Sequence, residues 1–195
     1  MHGYKAWPES DRQKTQDPKA ILTKAGLKPG MTFVDIGCGQ GYFAIPAARL
    51  AGAEGKVYGI DVDEEAISVL NKKASENGLN NVLATVGDGE RTVLCKACAD
   101  IVFFGICLHD FESPDRVLRN AKRMLKPAGI LADLDWKKAR GQAGGPPYEA
   151  RFSEQMASEL IEDAGFTVRS IADIEGRYYM IIAEARGRRD DRRVL

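Results

Sequence analysis

The sequence predicts an α/β fold, a doubly wound and mostly parallel sheet with helices on both faces and an antiparallel hairpin at the end. Three observations lead there. Apolar, β-branched runs alternate with stretches of helical periodicity, the pattern of strands joined by right-handed crossovers. Gly26, Gly78 and Gly165 each follow a helical stretch, where a left-handed residue ends a helix. The last two apolar runs are joined by a tight turn with no helix between them, so they run antiparallel.

The elements follow in order. Asp17-Pro18 reads as the cap of a first core helix. Residues 31–36 (MTFVDI) form a strand, and the glycine-bearing stretch after it leads into a helix-like run ending near residue 52. Further strands are expected at 56–60, 82–86, 100–106 and 129–134. In 63–75, Ala66, Ile67, Leu70 and Ala74 share a helical face, with Asp63 as N-cap and Glu64 and Glu65 in the first turn. In 114–125, Val117, Leu118, Ala121, Met124 and Leu125 do the same behind Ser113-Pro114, an N-cap followed by proline at the first helical position. In 153–164 the apolar face is Met156, Leu160, Ile161 and Ala164. Residues 166–173 and 177–185 make the hairpin. No repeat or second domain is visible. The expectation is one domain, with a lid or arm at 1–16, a core at 17–185 and a disordered Arg-rich tail at 186–195.

Composition narrows the partners. The chain has 195 residues, 44% apolar and 29% charged, with 28 basic and 28 acidic side chains. Net charge is therefore near zero, and no global field draws the protein to nucleic acid or to an anionic membrane. No apolar run approaches the roughly 20 residues of a membrane span. The first residues lack the apolar core of a signal peptide, so a cytoplasmic protein with its four cysteines reduced is expected.

The segment 32–52, "TFVDIGCGQGYFAIPAARLAG", carries the chemistry. Gly37, Gly39 and Gly41 form a turn after the first strand, where backbone N–H groups and the positive end of the next helix face a ligand. A P-loop would need Gly-Lys-Ser/Thr here, which is missing, and a dinucleotide fingerprint would need a small residue where Tyr42 stands. Asp35, inside the preceding strand, is unsuited to a pyrophosphate and suited to an amine or a sulfonium. Asp61 ends the next strand, where a carboxylate accepts both hydroxyls of a ribose. Asp88 ends the third strand, within reach of an adenine amino group, with the Gly89 N–H facing the ring.

These residues bear a family likeness. "VDIGCGQG", "VYGIDVDEEAI", "VGDGE", "ADIVFFGICLHDF" and "VLRNAKRMLKPAGIL" resemble the successive motifs of class I S-adenosylmethionine-dependent methyltransferases. The likeness is to the small ubiquinone/menaquinone-methyltransferase-like branch and spans roughly residues 17–185. It implies a Rossmann-like sheet of seven strands with an antiparallel last strand. It also implies S-adenosylmethionine as cofactor, held by Asp35, Gly37, Cys38, Gly39 and Gly41 at the methionine end, Asp61 at the ribose and Val62 on the adenine. Asp88 and Gly89 would meet the adenine edge. Phe104, Gly105 and Ile106 would flank the methionine moiety and the transferred methyl.

A sulfonium already activates its methyl, so such a protein mainly aims a nucleophile along the C–S bond and excludes water. A base is needed only if the nucleophile keeps its proton. His109, followed by Asp110, stands in the right place, as a base or as a residue that shapes the loop. Asp135 and Trp136 also face the expected substrate side, although "DLDWKK" reads equally as a loop. Cys95 and Cys98 form one C-x-x-C, a redox couple or two thiols beside a strand. A zinc shared with Cys107 and His109 is excluded, because an intervening strand would hold the pairs more than about 20 Å apart. The Gly/Pro-rich stretch 137–152 borders the site or simply connects. A small-molecule methyl acceptor is the expected partner. The alternatives are a macromolecular acceptor (protein or RNA), which would need a basic surface that the linear sequence does not show, and a non-catalytic cofactor-binding module.

Overall fold

A computed structural model describes Arg12, residues 15–142 and residues 144–187. The expected arm falls largely outside the described residues, as does most of the tail. The described chain forms one seven-stranded sheet: β1 (Thr32–Ile36), β2 (Lys56–Asp61), β3 (Val82–Val86), β4 (Ala99–Gly105), β5 (Leu125–Trp136), β6 (Phe166–Ile174) and β7 (Tyr178–Ala185). Their order is β3-β2-β1-β4-β5-β7-β6. The first five strands pair in parallel and β7 is antiparallel to both β5 and β6. The order reverses between β1 and β4, so the two neighbouring crossovers leave on opposite faces and open a crevice at the carboxyl ends of these strands.

Among the described residues five helices cover the sheet: α1 (Pro18–Lys24), α2 (Ala44–Ala51), α3 (Glu64–Glu76), α4 (Pro114–Met124) and α5 (Glu154–Asp163). Strand alternation sorts the core into two layers. Phe33, Phe103, Ala132, Leu134 and Trp136 point to the side of α1, α2 and α3, among Leu22, Phe43, Ala47 and Leu70. Val34, Ile36, Val102, Phe104 and Leu131 point to α4 and α5, among Val117, Leu118, Met124 and Ile161. Burial of each such aliphatic or aromatic side chain contributes about 1.5–3 kcal/mol.

Local chemistry sets the helix starts. Asp17 accepts from the Lys19 and Ala20 amides, Asp63 from Ala66 and Ser153 from Met156, each satisfying an orphan donor of the first turn. Gly26, Gly78 and Gly165 have the left-handed φ expected of them.

Four expectations are corrected. Ser113 makes no side-chain cap; its amide instead donates to Glu90 Oε1 at 3.0 Å, so a distant carboxylate starts α4. Met156 is 43% exposed. With the α5 cap at Ser153, the inward stripe becomes Ala157, Leu160, Ile161 and Ala164. β5 begins at Leu125, directly after α4, rather than at 129. The Cys98 amide donates to Met124 O and Lys126 Nζ binds Asp100, which draw the chain into the sheet early, and Pro127 sits where the β4 register shifts. Finally, Cys95 and Cys98 are joined by a disulfide and are not the reduced thiols expected.

Gly105 ends β4 where a Cβ would lie 2.7 Å from Cδ2 of Phe43 and 2.8 Å from Cε1 of Phe103. Neither ring has room to retreat, because both are fully packed in the core. Gly105→Ala is expected to destabilise the fold by about 1–3 kcal/mol. Urea unfolding followed by far-UV circular dichroism measures this, and an unchanged midpoint would show that the rings adapt.

Candidate active site

The glycine turn closes over the end of β2. Gly37, Gly39 and Gly41 all have positive φ, of 69°, 49° and 87°. Their amides are used differently: Gly37 and Cys38 donate to Ile60 O at 2.9 and 3.1 Å, and Gly41 to Cys38 O at 3.0 Å. The Gly39 amide donates to Asp61 Oδ2 at 2.8 Å, while Asp61 Oδ1 accepts from the Asp63 amide at 3.0 Å. Asp61 therefore pins the turn as well as ending β2, a role the sequence did not disclose. The reasons for glycine also separate. A Cβ at Gly37 would meet Cys107 Sγ at 3.0 Å and one at Gly41 would meet Leu70 Cδ1, whereas one at Gly39 has nothing within 4 Å. Only Gly39 borders open space, a cradle that a side chain would fill.

Asp35 lies in β1 on the α1–α3 side, between Gly59 and Phe103 in register. It is buried, and its Oδ2 has no hydrogen-bond partner. Burial pushes its carboxyl up to about 8, and the charge of Asp61 adds to this, against the Arg12 guanidinium and the Ala44 amide, which favour ionisation. A buried carboxyl with one oxygen left unpartnered is costly to a fold and marks a place where a ligand belongs.

The remaining expected residues sit around the same crevice. Val62 is 46% exposed just past β2, an apolar surface open to a stacked ring. Asp88 Oδ1 accepts from the Glu90 amide at 2.8 Å, and its other oxygen lies 3.4 Å from Arg91 Nε. Gly89 is glycine for packing, since a Cβ would press on Ile36 and Val117. Phe104 turns its ring into the core, edge-on to Phe111 at 6.2 Å, so it offers a ligand only backbone. Cys38 is buried, with its sulfur where a Cβ of Gly59 would stand. Ile106 has φ 65°, a strained conformation for a β-branched residue, held by its amide on Leu134 O at 2.8 Å.

His109 stands in a 3₁₀ turn, Leu108–Asp110, with a side chain only 3% exposed. Its Nδ1 is 2.7 Å from Asp135 Oδ2, and its Nε2 is 3.5 Å from Asp110 Oδ1. Asp135 belongs to β5 and not to a loop, and its Oδ1 is occupied by the Trp136 amide at 2.7 Å. A carboxylate on Nδ1 makes that nitrogen the donor, which puts the lone pair of the neutral ring on Nε2, the nitrogen on the Asp110 side. Burial lowers the His109 pKa, but the hydrogen bond and charge of Asp135, with Asp110, outweigh it and the pKa is raised. One step deeper, Asp133 has neither carboxyl oxygen bonded, and burial together with the charge of Asp135 raises its pKa well above the usual range. Cys107, whose thiol donates to Ile36 O at 3.0 Å, feels the charges of Asp35, Asp135, Asp133 and Asp110 at once. The acids of both sheet faces thus converge at the switch point.

Two features escaped the sequence. Tyr42, read only as a departure from the dinucleotide pattern, donates its OH to Gln16 O at 2.8 Å and lies 4.1 Å beneath the Arg12 guanidinium. Arg151 braces the 137–152 loop: its guanidinium donates to Pro146 O, Lys137 O, Gln142 Oε1 and Gly144 O and stacks 5.0 Å from Trp136. Tyr42 alone had a signal, as a large residue at a position that favours small ones.

A family profile described as "Methyltransferase domain" matches residues 27–184. The chain belongs to this methyltransferase family. The methyltransferase domain superposes on the crystal structure of a SAM-dependent methyltransferase from Aquifex aeolicus with a TM-score of 0.84 and 31% identity, over 91% of this chain and 98% of that one. It is 32% identical to nocamycin O-methyltransferase of Saccharothrix syringae over 113 residues, 58% of this chain and 40% of that protein. It is 30% identical to demethylmenaquinone methyltransferase of Geobacillus stearothermophilus over 117 residues, 60% of this chain and 50% of that protein. The chain thus matches half or less of the length of these two relatives. The Rossmann-like sheet and the likeness to the ubiquinone/menaquinone branch both agree with what the motifs implied.

Two predictions follow from the buried acids. With its folded pKa near 8, Asp35 holds a proton that the unfolded chain releases above about pH 4, so its contribution to stability falls as pH rises through that window. Asp35→Asn should gain on the wild type between pH 5 and 7.5 by on the order of 1 kcal/mol per pH unit. Denaturant unfolding at several pH values reads this, and a constant difference would mean that Asp35 is ionised. For His109, Asp135→Asn removes the main cause of the raised pKa and leaves burial, so the imidazole pKa should drop below its ordinary value. NMR titration shows it directly, since the chain has only 2 histidines.

Proposed function

We propose that this chain is an S-adenosylmethionine-dependent methyltransferase with a small-molecule acceptor. The observation that carries the reading is the pairing of an open backbone cradle at Gly39 with the unpartnered buried Oδ2 of Asp35 beside it. These residues fit the cofactor. The cradle admits a nucleoside against backbone, and the unpartnered Oδ2 of Asp35 would accept a hydrogen bond from a cationic group of the ligand. The names of the two shorter-matched relatives, an O-methyltransferase and a quinone-precursor methyltransferase, support a small acceptor.

The bound cofactor supplies an electrophilic methyl on a sulfonium. The protein does the rest. Asp61, already bonded through both oxygens to backbone amides, keeps lone pairs for ribose hydroxyls, since a carboxylate has about four acceptor sites. Val62 offers its exposed surface to the adenine, and Asp88 and Gly89 border its edge. The strained Ile106 and the side-chain-free Gly105 shape the wall where the methyl would lie. Asp135 holds the His109 ring and fixes its tautomer, so that Nε2, 3.5 Å from Asp110 Oδ1, carries the lone pair that would take a proton from an acceptor hydroxyl or similar group. His109 is the base in this reading and Asp110 tunes it from the other side. Holding the acceptor in line at the mouth of a dry crevice supplies on the order of 7–11 kcal/mol in favourable cases.

Calorimetric titration with S-adenosylmethionine and S-adenosylhomocysteine tests the reading, and micromolar binding of both is expected. Asp61→Ala should weaken both by one to a few kcal/mol, roughly the loss of charge-assisted hydrogen bonds together with a loosened turn. Absence of binding by the wild type, with NAD and ATP tested alongside, would overturn the assignment.

A further inference from the structure

Nothing in the cofactor reading uses the stretch after β5. Between 137 and 152 the bases Lys137, Lys138, Arg140 and Arg151 stand against a single acid, Glu149. Lys137 is paired with Asp173 and lies 3.9 Å from Glu154. Arg151 is buried and engaged with Lys137 O, Gly144 O, Pro146 O and Gln142 Oε1. Lys138 and Arg140 have no carboxylate partner among the described residues, and both lie over the Tyr148 ring, at 5.4 and 4.6 Å from its centroid. Two cations gathered on one ring repel each other, and an anion beside them relieves the repulsion. The backbone has the same bias. Arg151 takes loop carbonyls, while the amides of Arg140, Gly141, Gln142, Gly144 and Gly145 have no acceptor among the described residues. Gly141, Gly144 and Gly145 have φ of 73°, 83° and 73°, and unpaired amides in turns of this kind form anion-binding concavities.

These groups border a cavity of about 380 Å³, with Arg140, Gln142, Tyr148 and Arg151 in its wall. That is the small end of ligand pockets, roughly 300–1,000 Å³. No Leu, Ile, Val, Phe or Met lines it among the described residues, so it suits a compact charged group and not an aliphatic tail. The cavity is held in shape: Gln142 Nε2 donates to Arg177 O at 2.8 Å, and Gly145 packs so closely on Trp136 that a Cβ has no room. It also adjoins the base, because Arg151 in its wall acts electrostatically on both Asp135 and His109. Resting on the methyltransferase reading, we propose that the methyl acceptor carries a carboxylate or phosphate group, which Lys138, Arg140 and the glycine-rich backbone of this cavity bind while His109 meets the nucleophilic end of the same molecule. The planar fork of Arg140 matches either anion. The loop after β5 then selects acidic acceptors over neutral ones.

The test is an NMR titration of the full chain, saturated with S-adenosylhomocysteine, with inorganic phosphate and separately with benzoate, at constant ionic strength in chloride. Saturable shifts of the amides at 140–142, 144 and 145 and of the Trp136 indole are expected for at least one anion, and the tighter of the two names the group. Lys138→Gln with Arg140→Gln, a change to partly or fully exposed side chains, should weaken that anion about tenfold or more and leave S-adenosylhomocysteine affinity unchanged. A bound anion also offsets the Arg151 charge at His109, so the imidazole pKa should rise on saturation. Shifts that do not saturate, that fall elsewhere or that survive the double substitution overturn the cavity. Saturable binding with the His109 pKa unmoved means an adventitious ion only and overturns the acceptor role. Failure of S-adenosylhomocysteine to bind the wild type overturns the methyltransferase reading itself, which a failed anion site would leave standing.

Discussion

The site depends on one carboxylate. Asp61, at the last position of β2, accepts the Gly39 amide through one oxygen and the Asp63 amide through the other. The first bond holds the apex of the glycine turn against the neighbouring strand, and the second sets the residue whose own side chain caps α3. Three backbone segments therefore take their relative positions from a single side chain. With Gly37 and Cys38 both bonded to Ile60 O, the turn has little freedom left, and its open face at Gly39 is held as a surface. A loop of this composition without that pin would be entropically costly to order.

Around this rigid corner the fold keeps charges where a core would exclude them. Asp35 in β1, with Asp133 and Asp135 in β5, points into buried space from opposite faces of the sheet. Only Asp135 is satisfied, by His109 and the Trp136 amide. The unpaired acids are destabilising in isolation, and protonation is the cheapest relief. A fold that retains such groups at the carboxyl ends of its strands keeps them poised for ligand contacts and departs from what packing alone favours. Hydrophobic layers on both faces, centred on Phe33, Phe103 and Leu22 on one side and Val34, Val102 and Met124 on the other, tolerate the cost.

Access to the crevice is shaped by two pieces with quite different construction. On one side Arg12 and residues 15–16 rest on Tyr42 and Tyr178, joined by a ring stack and two hydroxyl bonds. On the other, the Gly/Pro-rich stretch after β5 is held by one side chain, Arg151, which satisfies three carbonyl oxygens and a side-chain amide while lying on Trp136. The loop is thus an ordered wall whose shape depends on a single buried cation. The disulfide between Cys95 and Cys98 similarly braces the segment leading into β4, where the Ala97 and Cys98 amides tie to the end of α4.

The sequence alone determined the alternation of strands and helices, the caps at Asp17 and Asp63, the terminal hairpin, and the cluster of Asp35, the three glycines, Asp61 and His109 at strand ends. Each of these is written in local signals: periodicity, a short polar side chain before a helix, glycine where a side chain is unwelcome. Tertiary structure alone decided the pairing of His109 with Asp135, the capping of α4 by Glu90 in place of Ser113, the early start of β5 and the meeting of Arg12 with Tyr42. The His109–Asp135 and Ser113–Glu90 contacts join residues 26 and 23 positions apart, and Arg12 and Tyr42 lie 30 positions apart. No periodicity encodes such contacts. They exist because parallel pairing carries the carboxyl ends of β1, β4 and β5 to one edge of the sheet, and because a buried donor or acceptor must find its partner wherever the fold has brought one.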